Sequence, residues 1–133
     1  MAKTRGIKKY DISKHRYIEL VNYCLQYQEW KDELEYSLIS IGGGGMDGMP
    51  KGGTRKDKLE EMAIKRAKLS EKCESIEKAA ELAAGDLKEY IIKAVTNENI
   101  SYEYLDSKMN IPCGRWKYYE CRRKFFWILS SMI

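Results

Sequence analysis

Residues 54–84 read TRKDKLEEMAIKRAKLSEKCESIEKAAELAA, and the spacing of their apolar side chains decides the fold class. Leu59, Met62, Leu69, Cys73, Ile76, Ala80 and Ala83 follow one another in steps of three and four, interrupted only by Arg66. Such steps keep one seam of a helix turned toward a partner helix. Thr54 is suited to cap this helix, and Asp57 in the first turn is favoured by the helix dipole. A helix of about 25–30 residues is roughly 40 Å long. Its seam thins to Ala80 and Ala83 at the end, which calls for close packing or for a second copy of the chain.

Toward the N-terminus, residues 42–53 read GGGGMDGMPKGG, with seven glycines in twelve positions. That backbone has too much freedom to continue a helix. It also exceeds the ~2–8 residues usual between packed helices. Before it, residues 12–41 carry a second seam: Tyr17, Leu20, Cys24, Tyr27, Leu34, Leu38 and Ile41, broken only at Lys31. Tyr23 and Trp30 stand just off this seam and widen it. Two seams joined by a glycine-rich loop predict a coiled-coil-like antiparallel hairpin over 17–84, preceded by a basic arm over 1–16. Lys31 and Arg66 are expected at the seam edge, stems buried and charges in water.

Toward the C-terminus, Gly85 is a natural helix stop and Asp86 a natural cap. Leu87, Tyr90, Ile91, Ala94 and Val95 have helical spacing, Asn97-Glu98-Asn99 is a break, and Ser101 can cap a short helix holding Tyr104, Leu105 and Met109. Asn110-Ile111-Pro112 is a turn, with Pro112 suited to the first position of a last helix running to the end. The apolar side of that helix reads Trp116, Tyr119, Phe126, Trp127 and Ser130, flanked by Phe125, Leu129 and Met132. The expected fold is therefore all-α: a long helical hairpin followed by a small three-helix module over 85–133.

A supporting helix, a short helix and a longer basic helix have the organisation of a helix-turn-helix, whose last helix enters the major groove of DNA. Arg115 and Lys117 are the expected contacts to guanine edges or phosphates, with Tyr118 beside them, Arg122 farther along the backbone and Lys108 on the short helix. Cys113 and Gly114 are expected to be exposed at the start, and Trp116 and Tyr119 to anchor the helix to its own core. The charge distribution agrees with a polyanionic partner. Formal net charge is +4 overall. It divides into +5 over 1–16 (Lys3, Arg5, Lys8, Lys9, Lys14 and Arg16 against Asp11), +4 over 112–133, and −5 between.

Residues 48–53, GMPKGG, set between two long helices, and residues 101–112, SYEYLDSKMNIP, leading into a terminal basic helix, resemble the phage transcriptional regulators of the RinA/ArpU type. The likeness spans nearly the whole chain. It implies a helical N-terminal region, and a C-terminal module similar to the promoter-reading domain of bacterial sigma factors. The implied role is activation of late phage genes in the bacterial cytoplasm, with double-stranded DNA and RNA polymerase as partners. The chain departs from that pattern where its reading helix opens Pro112-Cys113-Gly114 in place of a serine and polar residues.

Other chemistries are poorly served. Cys24, Cys73, Cys113 and Cys121 form no closely spaced pair and His15 is the sole histidine, so no zinc site is expected. Lys51 precedes glycine and follows a helix, against a phosphate-binding loop. Glu60-Glu61, and Asp32-Glu33 with Glu35, lie on helix faces with no histidine near, so no catalytic residues and no cofactor are assigned. No secretory leader is expected. The longest apolar run, Phe125 to Leu129, is far shorter than the ~20 residues of a membrane span. Free thiols in a reducing cytoplasm are expected. One non-enzymatic alternative stays open: a helical adaptor or inhibitor that binds a host protein. The seams permit an intramolecular hairpin, a homodimer or a four-helix assembly.

Overall fold

The structure is a computed structural model that describes residues 10–42 and 55–133. The chain is all-α, with no strand among the described residues. Its helices are α1 (Lys14–Leu25), α2 (Tyr27–Gly42), α3 (Arg55–Ala84), α4 (Lys88–Val95), α5 (Tyr102–Met109) and α6 (Arg115–Met132), with a 3₁₀ turn at Gly85–Leu87. The expected roles of the arm residues Lys3, Arg5, Lys8 and Lys9, of the glycine-rich loop and of Thr54 lie outside the described residues. So do those of the side chains of Leu38 and Ile41.

The chain packs as two compact units. Among the described residues, one holds 27–42 and 55–74, and the other holds 10–26 together with 75–133. In the first, α2 and the greater part of α3 run antiparallel. Glu33 meets Lys65 at 3.0 Å. The Arg66 guanidinium donates to the carbonyl of Leu34 at 2.6 Å, and the Lys72 ammonium stands 5.1 Å over the ring of Trp30. As the α2 number falls from 34 to 30, its α3 partner rises from 66 to 72, which is the register of a hairpin. Trp30, Leu69 and Cys73 are buried in this unit. Trp30 was expected only to widen the seam, and it supplies the bulk of it. Arg66 does more than snorkel, since its head is tied to backbone. Leu59, at the outer end, is exposed.

The first predicted helix is in fact two. Gln26 interrupts it, its backbone N–H donating to Tyr23 O at 3.2 Å. The break separates α1, which belongs to the C-terminal unit, from α2, which belongs to the hairpin. Ser13 caps α1, its hydroxyl accepting from Arg16 N at 3.1 Å. Leu20 and Cys24, one turn apart, are wholly buried. The α1–α6 contact is specific. Tyr17 meets Phe126 edge-on at 5.1 Å. Arg16 donates from Nε to Ser130 Oγ at 3.0 Å and from Nη2 to the Ser130 carbonyl at 2.8 Å. That carbonyl belongs to the last turn of α6, where acceptors lack helical partners and a cation complements the dipole. Arg16, counted with the basic arm from sequence, is therefore a capping group of α6.

Gly85 ends α3 with φ +56, a conformation that favours glycine. Asp86 does not cap the next helix, because α4 begins after the 3₁₀ turn with Leu87 at its cap position and no side-chain cap bond. Ala79 and Ala80 are wholly buried and Ala83 nearly so. The small seam residues thus serve close packing within the unit.

Burial sets the thiols apart. Desolvation pushes the Cys24 thiol up to about 12, and burial also raises Cys113 and Cys121 above the ordinary thiol range. Only Cys113 is partly exposed. Because the thiolate is the nucleophile, a thiol reagent at pH 8 is expected to label Cys113 first. Cys24 is expected to react only as the unit opens. Mass spectrometry of the labelled native protein checks this; rapid labelling at Cys24 would contradict the packing of α1.

Candidate nucleic-acid interface

The α5–turn–α6 segment is built by local chemistry. Ser101 caps α5, its hydroxyl accepting from Tyr104 N at 3.1 Å. Asn110 ends α5 in the left-handed region, φ 52 and ψ 49, as asparagine tolerates. The N–H of Ile111 then reaches back to Leu105 O at 3.1 Å, and the Ile111 side chain is buried in the turn. The Tyr102 hydroxyl donates to Cys113 O at 2.7 Å and ties the far side of the turn to α5. Pro112 lies in the turn and not at the first position of α6, whose N-cap is Gly114 in extended conformation.

The buried stripe of α6 is Tyr118, Cys121, Phe125, Phe126 and Leu129. Its steps of three and four are legible in sequence, but the face differs by about one residue from the one expected. Trp116 is 71% exposed and Tyr119 is exposed, so neither anchors the helix to the core. Tyr118 takes that role: it is 1% exposed, and its ring centroid lies 5.7 Å from Tyr102 and 4.8 Å from Tyr119. Tyr118 is thereby removed from the set of candidate DNA contacts.

The four expected cationic positions fall into two groups. Lys108 and Lys117 are exposed. Arg115 is exposed but engaged, ion-paired to Glu103 with its guanidinium 4.9 Å over the Tyr102 ring. The Arg115 guanidinium beside Glu103 holds that carboxyl below the usual range. Both groups are solvent-facing, and such pairs contribute little to stability, so an incoming phosphate can displace the carboxylate. Arg122 stands apart, half-buried, with Nη2 3.3 Å from the Tyr17 hydroxyl and its guanidinium 5.3 Å from the Phe126 ring. Lys108 thus lies on α5 and Arg115 and Lys117 on the first turn of α6, while Arg122, two turns farther on, is engaged by Tyr17 and Phe126.

Trp116 is the feature that sequence reasoning missed. It stands open between Arg115 and Lys117, on the first turn of a helix with no acidic residue there. Its signal was its place beside the stripe headed by Tyr118. No family model, no curated protein and no solved structure matches this chain. No described helix is long and apolar enough to cross a membrane.

Proposed function

We propose that the protein is a DNA-binding transcriptional regulator of the RinA/ArpU phage type, which presents the first turns of α6 to the major groove. The observation that carries this reading is the α5–turn–α6 segment, fixed by the Ser101 cap, Asn110 and buried Ile111, with Trp116 and Lys117 open and Arg115 exposed but paired to Glu103 at the start of α6. A short helix bracing a longer one across a tight turn is how helix-turn-helix proteins hold a reading helix. Arginine and lysine at its exposed start suit guanine edges and phosphates. On this reading the protein works in the cytoplasm of a bacterial host, and RNA polymerase is its second partner.

Electrophoretic retardation of a duplex fragment at graded salt tests the reading. Affinity is expected to fall steeply as salt rises. Arg115→Ala is expected to cost about 1–3 kcal/mol of binding, and Lys117→Ala to flatten the log–log salt slope by about one. Glu103→Gln frees Arg115 and is expected to tighten binding. A folded double variant of Arg115 and Lys117 that binds like the parent would remove α6 as the reading helix.

A second reading has one observation in its favour. Trp116, Tyr119 and Trp127 all expose ring surface on α6, and exposed tryptophan and tyrosine are typical anchors of protein interfaces. A helical adaptor or inhibitor would use that surface with no need of DNA. Absence of duplex binding at low salt by the folded protein, together with a stoichiometric host partner retained after nuclease treatment, would favour it.

A further inference from the structure

The N-terminal approach to α1 and the middle of α6 enclose an open cavity of about 710 Å³ within the C-terminal unit. This lies inside the roughly 300–1,000 Å³ of small-molecule sites. Its lining combines two chemistries. One is cationic: Lys14, Arg122 and Arg123, against the single carboxylate of Asp11. The other is aromatic: Tyr10, Tyr17, Tyr118, Tyr119 and Phe126.

Arg122 is the centre of the cavity's chemistry. Its guanidinium is half-buried, over Phe126 and beside the Tyr17 hydroxyl. No carboxylate among the described residues lies within ion-pair distance of it. A withdrawn charge without a counter-charge is costly unless an anion joins it. The buried Tyr118 phenol beside it supplies no counter-charge, since burial holds it above its ordinary value and keeps it neutral. The guanidinium plane also matches the paired oxygens of a phosphate.

We propose that this cavity binds a nucleotide, its phosphate on Arg122 and Arg123 and its base against the exposed faces of Tyr17 and Tyr119. The charge of the lining suits this class. Three cations against one carboxylate leave a net +2, and a phosphate monoester carries about −1.5 to −2 at pH 7. A single carboxylate would leave the site cationic. The tyrosine faces suit a planar base, and flat rings stack on aromatic side chains whatever their sequence. The ligand comes either free, as a mononucleotide, or as the 5′-phosphorylated end of a single strand; the two share one chemistry. The site is distinct from the exposed start of α6 and does not depend on duplex binding there.

Titration calorimetry on the full chain tests the site, with AMP, CMP, GMP and dTMP as probes. The matching nucleosides and inorganic phosphate separate the halves of the ligand, and a short oligothymidylate with and without a 5′-phosphate separates the sources. Saturable binding of a mononucleotide, or of the phosphorylated strand alone, is the expected result, and which of them binds names the source. Removing the phosphate is expected to weaken binding roughly tenfold or more, the range of a charge-assisted hydrogen bond. Arg122→Met keeps an unbranched side chain of similar length while deleting the guanidinium over Phe126, and is expected to weaken binding to a similar extent. Should that variant lose its helical signal, the exposed pair Lys14→Gln with Arg123→Gln decides, with a several-fold loss expected. No saturable binding by any phosphorylated probe, equal binding of nucleoside and nucleotide, or parental affinity in the folded variants would each overturn the proposal.

Discussion

Phe125→Ala is expected to destabilise the C-terminal unit by about 3–5 kcal/mol, the cost of deleting a large side chain from a closed core. Phe125 is wholly buried, and its ring lies 5.0 Å from Phe126 in an edge arrangement. Phe126 in turn meets Tyr17 of α1. The void therefore opens where α6 meets the rest of the unit, with little room for neighbours to relax. Against a typical total of about 5–15 kcal/mol, such a loss leaves the unit near the edge of folding. Trp127→Ala is the matched control. Trp127 is larger but 44% exposed, and its ring contacts Tyr10 at 5.4 Å. The expected cost there is about 1 kcal/mol. Thermal unfolding followed by circular dichroism compares the two. Equal losses would mean that α6 turns a different face to the core.

Excising residues 85–133 is the second change with a large expected effect: the fragment should show no cooperative melting. Read from sequence alone, those residues form a self-contained three-helix module. The packing assigns α1 and the last turns of α3 to the same unit. The fragment loses wholly buried Leu20, Cys24, Ile76, Ala79 and Ala80. It also loses Arg16 from the Ser130 carbonyl in the last turn of α6. Leucine truncation in a core alone costs about 2–5 kcal/mol, and here a whole helix is removed. What remains is short, and domains of this size have little margin to give up. A cooperative, protein-like transition in the excised fragment would refute the shared core.

Much of this architecture was written in local sequence. The seams of three-and-four spacing gave helices, Ser101 gave the start of α5, Asn110 with Ile111 gave the turn, and Gly85 gave the end of α3. The break at Gln26 was not legible, because Leu25, Gln26 and Tyr27 are all acceptable in a helix and no glycine or proline marks the spot. The face of α6 was misjudged because three large aromatics, Trp116, Tyr119 and Trp127, outweighed the spacing that begins at Tyr118. For the candidate interface, residue type pointed to Arg115 and Lys117, but not to what surrounds them. The Glu103–Arg115 pair joins residues twelve apart across a turn, and Arg122 is drawn in by Tyr17, 105 positions away. Contacts of that reach depend on how helices pack, which no single stretch of sequence states.

The bond between Arg16 and Ser130 joins positions 114 residues apart, and this has a consequence for how the protein is made. α1 leaves the ribosome ahead of α6, with Leu20 and Cys24 uncovered, and must wait for more than a hundred further residues before that partner helix is complete. At about 5–20 residues per second, that wait lasts on the order of ten seconds. The hairpin of α2 and α3 is synthesised in the interval, so it is complete before α1 can meet α6. A chain whose translation stops short of α6 leaves α1 with α4 but without the helix that holds Tyr17 and Arg16.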